Sequence, residues 1–416
     1  MTPYAAIDFG TSNSAVCTGF GTHRTLIALE QDKHTIPTAV FYNADERSTV
    51  FGRQAIAEYQ GGFDGRLLRS LKSLLGSELI SETTLVNGKP LAYREIIAGF
   101  LQHLRHTAQA HTESSIDRVV LGRPVFFVDD NAERDQLAAA TLADIAHQVG
   151  FSEVHFQYEP IAAALDYELT LSRETLVLVA DIGGGTSDFS LIRLGPERAS
   201  HLDRSADVLA NCGVHIAGTD FDQQLSLASA MPSLGLGSIS PSGKPVPSHV
   251  YFELATWHRI NFLYSLRALA EAETLRPFFA DATLHRRLMR VLRERDGHRI
   301  AGLVEDAKVA AADGAASTLD LSFIEPGLQV AIDDAILRRA IGVPVERIVA
   351  AALQTAGDAG VPATQIDAVY FTGGSTGIRL LREAIAAAFP GSVAVGGDKF
   401  ASVARGLGVY AGRLFA

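Results

Sequence analysis

The chain has 416 residues, 47% hydrophobic and 20% charged, with a formal net charge of -11 at pH 7. That is the make-up of a globular protein of two or more domains, and its acidic balance excludes general nucleic-acid binding, which needs a basic face. Cys17 and Cys212 stand far apart, with no CxxC and no Cys/His cluster, so they read as small buried hydrophobes in a reducing compartment and not as a structural zinc site.

The first residues enter a strand without a basic region and an apolar run, so no signal peptide is expected. No apolar stretch approaches the roughly 18–20 residues that span a bilayer, and the expected location is cytoplasmic. Residues 4–20 read as a hairpin around a Gly-Thr-Ser turn, and Thr35–Tyr42 as one further strand. Leu67, Leu68, Leu71, Leu74 and Leu75 recur at helical spacing, which predicts a helix stopping at Gly76. Residues 93–111 form a second amphipathic helix. Val119–Phe127 is a nearly all-apolar buried strand with a break at Pro124. A helix over 130–149, a strand at Val154–Phe156 and a helix over 159–171 complete the first half.

The second half opens with the apolar strand Thr175–Ala180, followed by strands over 189–194 and 206–211 and a turn region from Gly213 to Asp222. The Pro/Ser/Gly-rich stretch 231–248 reads as an exposed loop. Residues 252–296 are helical and charge-rich, carry Trp257, the only Trp, and read as a solvated, salt-bridged subdomain. Then come a helix over 299–313, a strand Leu319–Ile324, a helix over 344–359, a buried strand Ala368–Thr372, and helices over 376–388 and 401–414. The alternation predicts two related α/β lobes. Lobe I covers 1–174, with core 1–30 and 108–174 and an insertion over about 31–107. Lobe II covers 175–416, with core 175–213 and 316–395, an insertion over about 214–315, and a last helix packing back towards lobe I.

Two stretches repeat one pattern. Ile7-Asp8-Phe9-Gly10-Thr11-Ser12-Asn13 and Ala180-Asp181-Ile182-Gly183-Gly184-Gly185-Thr186-Ser187-Asp188 each run strand, Asp, Gly-rich turn with Thr-Ser, strand. Either turn alone is an ordinary hairpin, because Gly, Asp, Asn and Ser dominate turns generally. Together, one at the head of each half, they describe a cleft that grips a phosphate chain from both sides. Glycine exposes backbone N–H groups, Thr and Ser add donors, and Asp8 and Asp181 are hard oxygen ligands suited to Mg²⁺.

With a Gly-Gly-Ser turn after the strand Ala368–Thr372, these loops resemble the actin, sugar kinase and DnaK superfamily. Tyr158-Glu159-Pro160-Ile161-Ala162-Ala163-Ala164, Phe371-Thr372-Gly373-Gly374-Ser375-Thr376-Gly377-Ile378, Leu71-Lys72-Ser73-Leu74-Leu75-Gly76 and His215-Ile216-Ala217-Gly218-Thr219-Asp220-Phe221-Asp222 narrow the resemblance. They are similar to the nucleotide-binding domain of DnaK-type heat-shock chaperones, the heat shock protein 70 family. The likeness covers nearly the whole chain and stops short of a peptide-holding β-sandwich and lid, so the nearest members are the short YegD-like chaperones. It implies an actin-like ATPase fold: two lobes of duplicated βββαβα topology (a ribonuclease H-like motif), each with a helix-rich insertion, around a central nucleotide cleft.

The resemblance also implies ATP/ADP and Mg²⁺ as cofactors, and a slow Mg-dependent ATPase acting as a molecular switch without its own peptide-binding domain. Gly10, Thr11, Ser12 and Asn13 would take one side of the β/γ-phosphates, Gly183, Gly184, Gly185 and Thr186 the other, and Asp8 and Asp181 the metal. Lys72 would reach the γ-phosphate, with Glu159 and Asp188 orienting or deprotonating the attacking water and Thr186 and Asp181 beside it. Gly218, Glu305, Lys308, Gly373, Gly374, Ser375 and Ile378 would build the adenosine end. Spacing alone gives plainer readings: a wet helix face for Arg66, Arg69 and Lys72, a helix cap for Glu159, a solvated face for Glu305 and Lys308, and a strand end for Pro124 as readily as a relay.

The chain departs from the pattern at several points. Val309 and Gly377 stand where the family has base-stacking arginines, Ala312 where it has serine, Thr219 where it has glutamate, and Asp398-Lys399-Phe400 where it has Asn-Pro-Asp-Glu. Stacking of the base by two guanidiniums is therefore lost. The expected partners are a nucleotide and a protein client or co-chaperone, with no nucleic acid and no membrane, on a monomeric protein. The alternative from another class is an actin-like nucleotide-gated filament or scaffold. A sugar kinase is disfavoured, because no second-substrate motif is recognisable.

Overall fold

Two main sheets carry the chain in the computed structural model, which describes residues 2–21, 23–128, 131–312, 316–397 and 401–415. In the first half, β1 (Tyr4–Phe9), β2 (Asn13–Phe20), β3 (His23–Leu26) and β4 (Thr35–Pro37) precede an inserted unit of β5 (Ala39–Asn43), β6 (Ser48–Phe51), α1 (Gly52–Gln60), β7 (Gly65–Arg69), β8 (Thr83–Val86) and β9 (Lys89–Ala92). Then follow α2 (Tyr93–Thr112), β10 (Arg118–Arg123), α3 (Ala132–Gln148), β11 (Glu153–Tyr158) and α4 (Glu159–Glu168). The first sheet has the order β11-β10-β1-β2-β3, with β4 also on β2; β10 and β11 run parallel to β1, and β2 antiparallel.

The second half has β12 (Thr175–Ile182), β13 (Ser187–Leu194), β14 (Val208–Val214) and α5 (Gly218–Ala228). A helical unit follows: α6 (Ala230–Ser233), α7 (His249–Ala255), α8 (Leu266–Glu273), α9 (Ala282–Arg293) and α10 (Gly297–Ala311). It returns through β15 (Ser317–Asp320), β16 (Gln329–Ile332), α11 (Asp334–Asp358), β17 (Ala368–Thr372), α12 (Arg379–Ala388), β18 (Val393–Gly396) and α13 (Ser402–Leu414). The second sheet has the order β14-β13-β12-β17-β18.

Strand alternation divides the core, because successive side chains point to opposite faces. Ala5, Ile7 and Phe9 of β1 join α2 and α3 in one cluster, while Tyr4 and Ala6 point the other way. Leu178, Ala180 and Ile182 of β12 join the helices of the second half, while Val177 and Val179 point away from them. The two outward sets meet in one shared layer, filled by Ile161–Leu165 of α4 and Val403, Leu407 and Ala411 of α13. That layer makes one body of the two sheets. It also explains the alanine run of α4: a Cβ on Gly406 of α13 would lie 1.8 Å from the Ala162 carbonyl oxygen, so small residues set the helix spacing.

Several sequence expectations are corrected. Leu67 and Leu68 lie on strand β7, paired with β5, and Leu71–Leu74 form a 3₁₀ turn instead of a helix. Ser70, in the left-handed region at φ 56°, separates the two and defeats the helical spacing. Thr35–Tyr42 is two strands broken at Thr38, whose N–H donates to the Ser12 carbonyl. The apolar run Val119–Phe127 leaves the sheet at Arg123, and Phe126 is exposed. Residues 231–248 are not an exposed loop throughout, since Met231, Leu234 and Val246 sit in the core. Leu319–Ile324 leaves its strand after Asp320. The helix expected at 344–359 starts ten residues earlier, capped by the Asp333 carboxylate on the Ile336 N–H, and carries Pro344 inside it. The hairpin β8–β9 had no sequence signal strong enough to read. The Asp398-Lys399-Phe400 turn lies outside the described residues.

Candidate functional site

The β1–β2 and β12–β13 turns face each other. A Cβ on Gly184 would meet the Ser12 Oγ at 2.8 Å, so the two loops approach each other closely. Each loop is pinned from behind. The Thr38 hydroxyl donates to the Gly10 carbonyl at 2.7 Å, and Ser14 bonds Thr38 in turn. The Gly183 N–H closes its turn on the Thr186 carbonyl at 3.0 Å, and the Ser375 hydroxyl donates to the Gly183 carbonyl at 2.6 Å. The Thr219 N–H and hydroxyl both donate to the Gly184 carbonyl, and the Gly218 N–H to the Gly183 carbonyl. Thr11, Ser12, Gly184, Gly185 and Thr186 are part-exposed and Asn13 is exposed, so the loop tips are open to solvent.

Three carboxylates and one ammonium lie close together by these loops, and the exposed Asp188 acts on them. Asp8 and Asp181 are the penultimate residues of β1 and β12, and Asp188 stands opposite Asp181 in the β12–β13 register. Lys72 comes from the 3₁₀ turn of the inserted unit and pairs with the Glu159 carboxylate across 87 residues. It is buried, which rules out the wet-face reading. Glu159 opens α4 ahead of Pro160, and its carboxylate is engaged by Lys72.

Burial pushes the Asp8 carboxyl up to about 8, with Glu159 and Asp181 repelling its charge and Lys72 opposing the rise. Burial likewise pushes Asp181 up to about 7, with Asp188 and Glu159 adding to it. For Lys72, burial favours the neutral amine, but Glu159, Asp8 and Asp188 outweigh it and the net shift is upward. The cluster thus carries more carboxylates than cations, an excess that a divalent ion would offset. Among the described residues no three His, Cys, Asp or Glu form a metal cage. One or two carboxylates completed by water and phosphate is the usual setting for Mg²⁺, and Asp8 and Asp181 fit it.

The other end of the cleft is built by α5, α10 and the 3₁₀ turn Gly374–Gly377. Thr376 caps that turn, its N–H and hydroxyl both donating to the Gly373 carbonyl. Lys308 is buried, donates to the Gly218 carbonyl at 3.2 Å and pairs with Asp222 at 2.7 Å, so its ammonium is engaged inside the protein. Glu305 and Val309 are exposed on the same helix, and Ile378 belongs to the core of the second half. Thr38 and Asp222 complete the site unannounced by spacing. Asp222 ends the Asp220-Phe221-Asp222 run, while Thr38 is an unremarkable residue between two short apolar strands.

Residues 4–228, a little over half of the chain, match the family described as Hsp70 protein. That stretch includes both Gly-rich loops, Lys72, Glu159 and the α5 turn.

Proposed function

The chain belongs to the Hsp70 family, and from that premise we propose that it is a Mg²⁺-dependent ATPase switch whose phosphate site is the paired loops Gly10–Asn13 and Gly183–Thr186. Family membership supports ATP binding, ATP hydrolysis and a chaperone-like role. The observation that carries the residue assignment is the contact of Ser12 with Gly184 directly above the Asp8, Asp181, Lys72 and Glu159 cluster. In this reading the two sheets are copies of one unit, each offering one loop, and the shared layer of α4 and α13 is the hinge.

The loop N–H groups and the Ser12 and Thr186 hydroxyls bind the phosphates, giving orientation at little ordering cost. A Mg²⁺ ion held by Asp8 and Asp181, mostly through water, would supply charge neutralisation on the β- and γ-phosphates. Lys72 brings its ammonium to the γ-phosphate, and its release from Glu159 frees that carboxylate to orient the attacking water. Asp188, on the facing strand, stands ready as the second carboxylate for that water. Glu305 is placed to accept from a ribose hydroxyl. Val309 and Gly377 leave the base without cationic stacking, so discrimination between ATP and GTP is expected to be weak.

We place the protein in the cytoplasm as a slow, monomeric switch that works on a client or co-chaperone through its surface. Calorimetry with ATP, ADP and GTP, with and without Mg²⁺, tests the site. Wild type should bind one equivalent, and Asp181→Ala should lose the Mg²⁺-dependent part of the affinity. An unchanged affinity in the variant would remove the metal assignment.

A further inference from the structure

The two inserted units meet above the cleft through a small group of side chains that the phosphate chemistry does not use. From the first unit come Tyr59, on α1, and Arg69, at the end of β7. From the second come Trp257 and Asn261, on the 3₁₀ segment Trp257–Tyr264, and His298, in the first turn of α10. The Tyr59 ring lies 5.8 Å from the Trp257 ring and 5.6 Å, edge-on, from His298; Trp257 and His298 are 5.1 Å apart, also edge-on. The Arg69 guanidinium covers the Trp257 ring at 4.4 Å, and the Asn261 amide donates to the Tyr59 hydroxyl. This is a latch between side chains 188 or more residues apart in sequence, and Arg69 precedes Lys72 by three residues.

One atom of the latch is out of place. His298 is 8% exposed, and its Nε2 is buried without a hydrogen-bond partner. Its ring is hydrogen-bonded to the Trp257 backbone, and burial holds the imidazole below its ordinary pKa. The charged and titratable groups around it come from each packed element. They are Arg69 of β7, Tyr59 of α1 with Arg66 acting on it, Tyr264 of the 3₁₀ segment with Arg295 over its ring, and Asp296 and Glu305 along its own chain segment. None accepts a hydrogen bond from Nε2. An imidazolium there would bury a second N–H with no acceptor.

We propose that His298 makes this latch a proton-sensitive gate: neutral His298 keeps the two inserted units joined over the cleft, and its protonation releases them. The helix that carries His298 carries Glu305 seven residues on, about 10 Å along the axis, so release of the first turn moves the adenosine end of the site. The sign follows from burial. A base whose pKa is lowered in the closed state favours closure fully above its free value near 6.5, and loses that contribution as pH falls below it. The nucleotide consequence rests on the function proposed above; the latch itself does not.

Acrylamide quenching of Trp257 fluorescence reads the latch without any nucleotide, because this is the only Trp in the chain. Access of the quencher to nucleotide-free wild type should roughly double between about pH 7.5 and about pH 5.5, with a midpoint below 6.5. His298→Gln, which cannot take up a proton, should hold the low quenching constant over the whole range. Tyr59→Leu, a part-exposed position, should give the high constant at every pH. Flat quenching in wild type, or the same acid rise in His298→Gln, would overturn the gate. Release of a fluorescent ADP, followed in parallel, should quicken with acid only where quenching rises. If no ADP binds while quenching behaves as stated, the nucleotide reading fails and the gate stands.

Discussion

At the scale of single residues, the site stores unfavourable charge. Asp8 and Asp181 hold protons in the native state, at values of about 8 and about 7, that the unfolded chain releases near 4. The native state therefore binds more protons in that window, and stability falls as pH rises through it. Asp8→Asn should leave stability at pH 4 nearly unchanged and raise it at pH 8 by on the order of 1–2 kcal/mol, while weakening Mg²⁺–nucleotide binding. Chemical denaturation of the nucleotide-free protein at the two pH values checks this, and a loss of stability at pH 8 would contradict it. Lys72 has the opposite standing, since its ammonium compensates the carboxylates and serves the γ-phosphate. Lys72→Ala should lower the single-turnover rate by about 10²-fold or more, with a far smaller change in nucleotide affinity. An equal loss in both would make Lys72 a binding residue only.

Elements differ in how far their sequence announced them. β1, β12 and β17 were legible because buried strands read as short apolar runs that lead into Gly-rich turns, and α2 because its apolar face repeats over twenty residues. The Gly-rich loops were legible because the same order of Asp, Gly, Thr and Ser follows a strand at the head of each half. The Leu67–Leu75 segment was not, because one left-handed residue, Ser70, turns a helical leucine pattern into a strand and a 3₁₀ turn. That same break aims Lys72 inward. Thr38 and the engaged state of Lys308 were hidden for another reason: their partners, Gly10, Gly218 and Asp222, lie 28 to 90 residues away. Packing of α13 on α4 is equally nonlocal. Gly406→Ala would drive a methyl into the Ala162 carbonyl and should cost about 3 kcal/mol, read as a lower denaturation midpoint. A neutral substitution would show that the two helices can part without penalty.

For the molecule as a whole, two sheets share one apolar layer while their inserted units touch through the side chains of the latch. That division suits a body that hinges at its base and opens at its rim. It also separates a switch from a filament: with ATP and Mg²⁺ the protein should stay in the supernatant at all concentrations tested, and pelleting above a critical concentration would favour the filament. A crystal structure with a non-hydrolysable ATP analogue and Mg²⁺ should show the β- and γ-phosphates between Gly10–Asn13 and Gly183–Thr186, with the ion facing Asp8 and Asp181. An analogue bound elsewhere, or a cleft that excludes it at saturating concentration, would contradict the account.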